Sequence, residues 1–383
     1  MPGRCGGPVF VFTLGDTKMS NILTKRMTNL QALMAETKTD LIAIGPSSHM
    51  QWLADLSPHG DERPVMLLVS QTYAGFLMPA LNVDSARQHT DLPFFPWSDA
   101  DGPDVALKAL LDATNIDRDA PSVVLDETMR ADFALLLLDA LPGASRRFTN
   151  DTIGHLRALK DDAEYKALKA CALLNDRAME TGFAALKPGV TEIEIANVIV
   201  EFYKANGAVQ EFTSVCFGGN GAFPHHHTGT TKLKAGDAVL IDTGCRIGGY
   251  PSDMTRVGYC GTEPENFAEV HAVLEAAVGA ALEAARPGVK AKQVDKAARD
   301  VITKAGYGDK FVHRTGHGLG IDIHEPPYIT ASAETVLEPG MVFSIEPGIY
   351  LAGQFGLRLE EIVILREDGP EIFSELPRTA IAV

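Results

Sequence analysis

Four acidic residues standing in or beside apolar, strand-like runs constrain this chain more than any other feature. "VLIDTGCRIGGYPSDMTR" (239–256) sets Asp242 at the end of one apolar strand and Asp253 at the start of the next, with a Gly-Gly-Tyr-Pro turn between them. A hairpin of that length brings both carboxylates to one place. "FSIEPG" (343–348) ends a buried run with Glu346, just before a Pro-Gly stop. "LRLEEIVIL" (357–365) alternates, so that Arg358 and Glu360 share one face of a strand and Leu357, Leu359 and Glu361 the other. A carboxylate in such surroundings is costly unless it is paired or metal-bound. Taken singly, each is more often a strand-end or solvent-facing group. Four in one site would raise one another's pKa steeply unless cations balanced them, and two divalent ions would do so.

A histidine-rich stretch, "HRTGHGLGIDIHEP" (313–326), bears on the same question. His313 and His317 stand four apart, as in the helical zinc signature H-E-x-x-H. Gly316, Gly318 and Gly320 alternate through the segment, which suits a strand or tight loop closely approached by other atoms rather than a helix. One imidazole joining several carboxylates favours Mn²⁺ or a similar first-row ion over a thiolate zinc site. The five cysteines (Cys5, Cys171, Cys216, Cys245, Cys260) include no CxxC pair and are odd in number, so reduced, mostly buried thiols are expected. None is taken as a ligand, although Cys245 lies near Asp242.

At 383 residues the chain is long for one core, and two domains are expected. Residues 19–150 alternate helix and strand patterns: "DLIAIGP" (40–46), "PVMLLVS" (64–70) and "SVVLDE" (122–127) read as buried strands, with "VALKALLDAT" and "ADFALLLLDAL" as helices. An α/β domain follows, without a phosphate-binding glycine fingerprint. From residue 151 the pattern changes, beginning with a long amphipathic helix over 161–186 that Pro188-Gly189 stops. "ALKPGVTEIEIANVI" (185–199) returns in outline as "AARPGVKAKQVDKAARDVI" (284–302), each followed by Lys-Ala and a glycine. Helix–PG–helix turns are common, so one pair is weak evidence of duplication. Two similar halves facing each other would nonetheless form a cleft.

The formal net charge of −16 argues against nucleic acid or an anionic membrane as partner. No apolar run approaches the ~18 residues of a membrane span. Residues 1–18, including "PVFVFTL" (8–14), lack a cleavage signal and read as an irregular extension, with Met19 an alternative start. A cytoplasmic location is expected.

"LIDTG", "SDMTR", "GHGLG", "HEPP", "SIEPG" and "RLEE" resemble, in order and spacing, the motifs of the pita-bread metallopeptidases, and specifically their Xaa-Pro dipeptidase (prolidase) and aminopeptidase P branch. The resemblance covers the whole chain. It implies a creatinase-like N-terminal domain (19–150) and a pita-bread catalytic domain (151–383) with an internal pseudo-twofold repeat. It also implies two divalent metals, Mn²⁺ first with Co²⁺, Zn²⁺ or Fe²⁺ as alternatives. Asp242, Asp253, His317, Glu346 and Glu360 would be the ligands, Glu360 bridging. His225, in "NGAFPHHHTG", would face substrate, as would His313 and His324; Arg358 matches the arginine two before the bridging glutamate. His226 and His227 are read as exposed loop residues. A homodimer is implied as well.

The implied reaction is hydrolysis of an Xaa-Pro bond in dipeptides or short peptides by a hydroxide between the two metals. His324 would donate to the oxyanion and Glu346 would shuttle a proton to the leaving nitrogen. Phe223 and Tyr328 would contact the proline ring. Tyr328 stands where many prolidases carry an arginine for the dipeptide carboxylate, while the short Glu346-to-Glu360 interval is prolidase-like, so substrate length is open. The competing readings are a creatinase- or ectoine-hydrolase-like enzyme acting on a small C–N compound, and a metal-free binding protein. Methionine aminopeptidase is disfavoured by the first 150 residues.

Overall fold

The structure, a computed structural model, describes residues 16–383. They divide into two compact units, one ending at Arg157 and one running from Ala158 to Val383. Of the expected extension over 1–18, residues 1–15 lie outside the described residues, and a helix begins at Asp16.

The first unit is built on strands β1 (Leu41–Ile44), β2 (Met66–Val69), β3 (Ala74–Pro79), β4 (Phe94–Trp97), β5 (Ser122–Leu125) and β6 (Ser145–Phe148), in the order β4-β3-β2-β1-β5-β6. Pairing is mixed, with β1 antiparallel to β2 and parallel to β5. Helices Asp104–Thr114 and Ala131–Asp139 cover the sheet with Leu107, Leu110, Phe133 and Leu137, packed on Leu41, Met66 and Val123.

The second unit opens with helix Asp162–Ala184, whose N-cap Asp161 forms a capping box with Glu164. It continues through helix Glu192–Ala205 and strands β7 (Val209–Phe217), β8 (Ala238–Ile247), β9 (Tyr250–Pro251) and β10 (Met254–Tyr259). After helices Phe267–Ala284 and Ala291–Lys304 come β11 (Gly316–Gly318), β12 (Glu325–Ile329), β13 (Val342–Ile345), β14 (Gly348–Leu351), β15 (Phe355–Arg358), β16 (Glu361–Arg366), β17 (Gly369–Ile372) and β18 (Ile381–Ala382). The sheets run β18-β10-β8-β7, with β9 on β8, and β12-β11-β13-β16-β17, with β14-β15 a separate pair.

The repeat read from the two Pro-Gly-Val segments has a structural counterpart. Gly189 and Gly288 both adopt positive φ, and their N–H groups donate to Leu233 and Leu337 respectively. Leu233 and Leu337 return the bond to Val190 and Val289, and the next amides pair likewise, Glu192 with Thr231 and Ala291 with Thr335. Each half therefore docks a helix start onto the segment leading into a strand of the site, β8, which carries Asp242, in one and β13, which Glu346 follows, in the other. Three matched backbone bonds in each half make this a repeated unit rather than a chance turn.

Two sequence expectations are corrected. Asp242 lies in the middle of β8, not at its end, opposite Ser214 of β7 and Thr255 of β10. The strand tolerates it because its carboxylate meets Arg358. Residues 357–365 are also not one strand. β15 ends at Arg358 and pairs with β14, whereas β16 starts at Glu361 and pairs with β13. Nearly every residue from Phe355 to Leu365 is buried, so an alternating pattern there could not signal the switch between sheets.

The alternating glycines around His317 are explained by the close approach of neighbouring backbone. A Cβ on Gly316 would lie 1.9 Å from the Ser344 carbonyl oxygen, and one on Gly318 2.4 Å from that of Glu325. Only glycine lets β11 lie this near its neighbours. Cys171, Cys216, Cys245 and Cys260 are free and buried; Cys5 lies outside the described residues.

Candidate metal centre

Every carboxylate singled out in the sequence reaches one site. β8 presents Asp242; Asp253 directly precedes β10, delivered by the Gly248-Gly249 turn in which both glycines adopt positive φ. Glu346 follows β13 and Glu360 precedes β16, and His317 is the middle residue of β11. Ligand atoms of Asp242, Asp253 and Glu360 lie within 4.8 Å of one another, as do those of His317, Glu346 and Glu360. Glu360 is common to both sets. No cysteine joins either among the described residues.

The donors are arranged for cations. His317 donates from Nδ1 to the Gly318 carbonyl at 3.1 Å, which turns Nε2 towards Glu346 Oε1 (3.2 Å) and Asp253 Oδ2 (3.6 Å). Asp242 Oδ1 and Glu360 Oε1 are buried with no hydrogen-bond partner. A buried carboxylate oxygen left without a donor costs about 1–3 kcal/mol or more, and a divalent ion removes that cost.

Electrostatics agree. Burial first, then the neighbouring acids Glu360, Asp242 and Glu346, push the Asp253 carboxyl well above its ordinary range. Burial and then Glu346 and Asp242 do the same to Glu360. Burial raises Asp242 too, against the pull of Arg358. Glu346 goes the other way: burial is outweighed by His317 and Arg358, and its carboxyl falls to about 2. Four acids in one dry cleft cannot all ionise unaided, so the donor set fits divalent metal.

A polar frame surrounds these ligands. Arg358 donates to Asp242 Oδ2 at 2.5 Å, to Thr255 Oγ1 at 3.0 Å and to the Tyr350 hydroxyl at 3.0 Å. Thr255 in turn donates to Glu360 Oε2 at 2.8 Å. Ser344 Oγ receives the His317 N–H and donates to Glu346. Arg358 and Glu360 thus meet at Thr255, although they do not share a strand.

The flanking histidines differ in setting. His313 Nε2 hydrogen-bonds with the Tyr350 hydroxyl at 2.8 Å, two steps from Asp242 through Arg358. His324 is exposed, its ring edge-on to His317 with centroids 4.0 Å apart. Partial desolvation by its neighbours, then His317 and Arg314, hold its pKa down to about 4, so it is neutral at pH 7. A ligand atom of His324 also lies within 4.8 Å of those of Asp253 and His317, so geometry alone leaves it within reach of a metal. Beside it, the buried Lys160–Glu325 ion pair at 2.6 Å anchors the start of β12. His225 is exposed on the loop after β7.

The family profile of metallopeptidase family M24 matches residues 166–367, which contain all five candidate ligands and the three flanking histidines. The "Probable dipeptidase PepE" of Mycobacterium tuberculosis is 36% identical over 371 residues, covering 95% of this chain and 97% of that protein. The chain belongs to metallopeptidase family M24. The "Xaa-Pro dipeptidase" of Lactobacillus helveticus is 36% identical over 360 residues, covering 90% of the M24 chain and 95% of its relative. The crystal structure of dipeptidase PepE from Mycobacterium ulcerans superposes with a TM-score of 0.89 at 34% identity, over 95% of this chain and 98% of that one. This M24 member is therefore a metal-dependent peptidase with the mixed α/β pita-bread fold, its family implies divalent ions, and the carboxylate cluster has the donors to hold them.

Several residues of this M24 site were not singled out in the sequence. Thr255 stands inside the quoted "SDMTR" and Tyr350 just after "SIEPG", yet neither carries a local signal, because their partners are over a hundred residues or one hairpin away. The reading of His226 as an exposed loop residue is wrong: it is half-buried against the fully buried Glu192. His227 is exposed as expected. A second His/acid group, His49 with Asp126 and Glu127, is a satisfied network rather than a metal site. Asp126 accepts from Gly45, Ser47 and Thr128, and the Arg157 guanidinium lies 3.0 Å from His49 Nδ1, where it would repel a cation. No helix among the described residues is long and apolar enough to cross a membrane.

Proposed function

We propose that this protein hydrolyses the Xaa-Pro bond of dipeptides, using two divalent ions held by Asp242, Asp253, His317, Glu346 and Glu360, with Mn²⁺ the preferred metal. The observation that carries this reading is the pair of buried, unpartnered oxygens on Asp242 and Glu360, in a cluster whose acids cannot all be ionised together without cations. The metals would supply an acidified water and polarise the scissile carbonyl.

The chain's own groups do the rest. Glu346, kept ionised by His317 and Arg358, would take a proton from the attacking water and pass it to the leaving proline nitrogen. His324, neutral at working pH, donates its N–H to the developing oxyanion. His313 and His225 orient the substrate, and Arg358 holds Asp242 and, through Thr255, Glu360.

Specificity rests on the leaving residue. Proline has no N–H and a fixed φ, so it is recognised by shape and by its carboxylate. Phe223 and Tyr328 offer exposed aromatic faces for the ring. Arg314 lies over the Tyr328 ring, 4.8 Å from its centroid, and is close enough to His324 to depress its pKa. A half-buried guanidinium there can take the role of the arginine that Tyr328 replaces and bind the free carboxylate of a dipeptide. This favours dipeptides over longer chains. The name of the Lactobacillus helveticus relative points to the same substrate class.

The reading extends to a cytoplasmic homodimer, with residues 19–150 as a creatinase-like domain. Its test is turnover of an Xaa-Pro dipeptide against the corresponding Xaa-Pro-Yaa tripeptide by Mn²⁺-loaded protein. Cleavage of the dipeptide is expected to be faster. Inertness towards both with every metal, alongside hydrolysis of creatine or ectoine, would replace the peptidase reading with the small C–N hydrolase.

A further inference from the structure

The loop after β7 carries His225, yet nothing in the catalytic cluster explains what holds that loop. The answer lies in a buried carboxylate the reaction does not use. Glu192 opens helix Glu192–Ala205 directly after the N-cap Thr191 and is fully buried. Four donors converge on it. Oε1 accepts from the Phe217 N–H at 2.9 Å and from Asn220 Nδ2 at 2.8 Å; Oε2 accepts from the Gly229 N–H at 3.0 Å and pairs with His226 Nε2 at 3.0 Å. All four belong to residues 217–229, the end of β7 and the loop that follows it.

Further bonds close the same loop. The Val215 N–H donates to Thr228 Oγ1, Ser214 Oγ donates to the His226 carbonyl, and the Ile193 N–H donates to the Gly229 carbonyl. His226 is the only one of the three consecutive histidines whose ring turns inward, and its neighbour His225 is left exposed on the outer side. A side chain buried on a helix start, bonded four times to one loop, determines where that loop stands.

We infer that Glu192 and His226 form a tether that positions His225 for substrate, so that both are positioning residues; the inference rests on the Xaa-Pro reading above. The segment "PHHH" then divides into one histidine facing substrate, one anchoring it and one in solvent.

Steady-state kinetics with an Xaa-Pro dipeptide and hydrogen exchange across 218–229 test this together, in the metal-loaded full-length protein. His226→Ala should raise KM roughly fivefold or more, leave kcat within about twofold, and leave both metals in place by mass spectrometry. His226→Gln, whose amide reaches as far as Nε2 and still donates, should restore most of the KM. Adding His226→Ala to His225→Ala should cost nothing further, because the tether acts through His225. Independent multiplication of the two effects, or unchanged exchange protection of the loop in His226→Ala, would overturn the tether. Lost protection in a protein whose wild type turns over no Xaa-Pro peptide would instead sink the substrate reading alone.

Discussion

Thr255 donates a 2.8 Å hydrogen bond to one oxygen of Glu360, and the other oxygen of Glu360 is buried without a partner. One hydroxyl thus orients the carboxylate shared by both halves of the cluster and leaves its free oxygen for a metal. The same hydroxyl accepts from Arg358, so it also sets the arginine that meets Asp242.

Thr255→Val keeps the shape of the side chain and removes both bonds. It should lower metal affinity about 10–100-fold and stability by about 1–3 kcal/mol. Titration calorimetry with Mn²⁺ and denaturant unfolding check the two effects separately. Unchanged affinity would show that Glu360 is oriented by its strand alone.

Metal and pH should act on stability together. Asp253 and Glu360 have folded pKa values raised above their ordinary 3.8 and 4.5, so their contribution is fully present below those values and is lost as pH rises through the folded ones. Metal-free protein should therefore be penalised increasingly by these two groups above pH ~5, and a bound divalent ion, which requires them ionised, should remove the penalty. The rise in Tm on adding Mn²⁺ should accordingly grow from pH 5 to pH 8. A constant or shrinking difference would contradict the carboxylates as ligands.

His324→Ala separates the two places geometry allows for that ring. As an oxyanion donor its loss should cut kcat by about 10²–10³-fold with two metals retained. A fall in metal content would make it a ligand beside Asp253 and His317 instead. Mass spectrometry of the intact variant distinguishes these outcomes.

Arg314→Met tests the carboxylate site. It should raise KM for an Xaa-Pro dipeptide by about tenfold or more, the loss of a charge-assisted pair, while an Xaa-Pro-amide of the same sequence is barely affected. An equal loss for both would remove Arg314 from substrate recognition.

Legibility from sequence followed the reach of each signal. β1, β2 and β5 were visible because they are short, apolar and bounded by turn residues, whereas β6, "SRRF", is polar and mostly exposed at the sheet edge. The metal-ligand candidates were visible because an acid among valines and isoleucines is conspicuous in one dimension. The tyrosine and threonine that frame them look ordinary, and the inward turn of His226 follows from a buried glutamate 34 residues earlier.

The sequence by itself determined the inventory: which acids and which histidine stand in apolar runs, which positions need glycine, and that a Pro-Gly-Val unit occurs twice. Tertiary structure alone decided the pairings. Arg358 meets Asp242 across 116 residues, Glu360 meets Thr255 across 105, and "LRLEE" breaks between two sheets. Those contacts depend on strand register and on where each sheet ends. Burial on both faces removes the alternation from which register would otherwise be read.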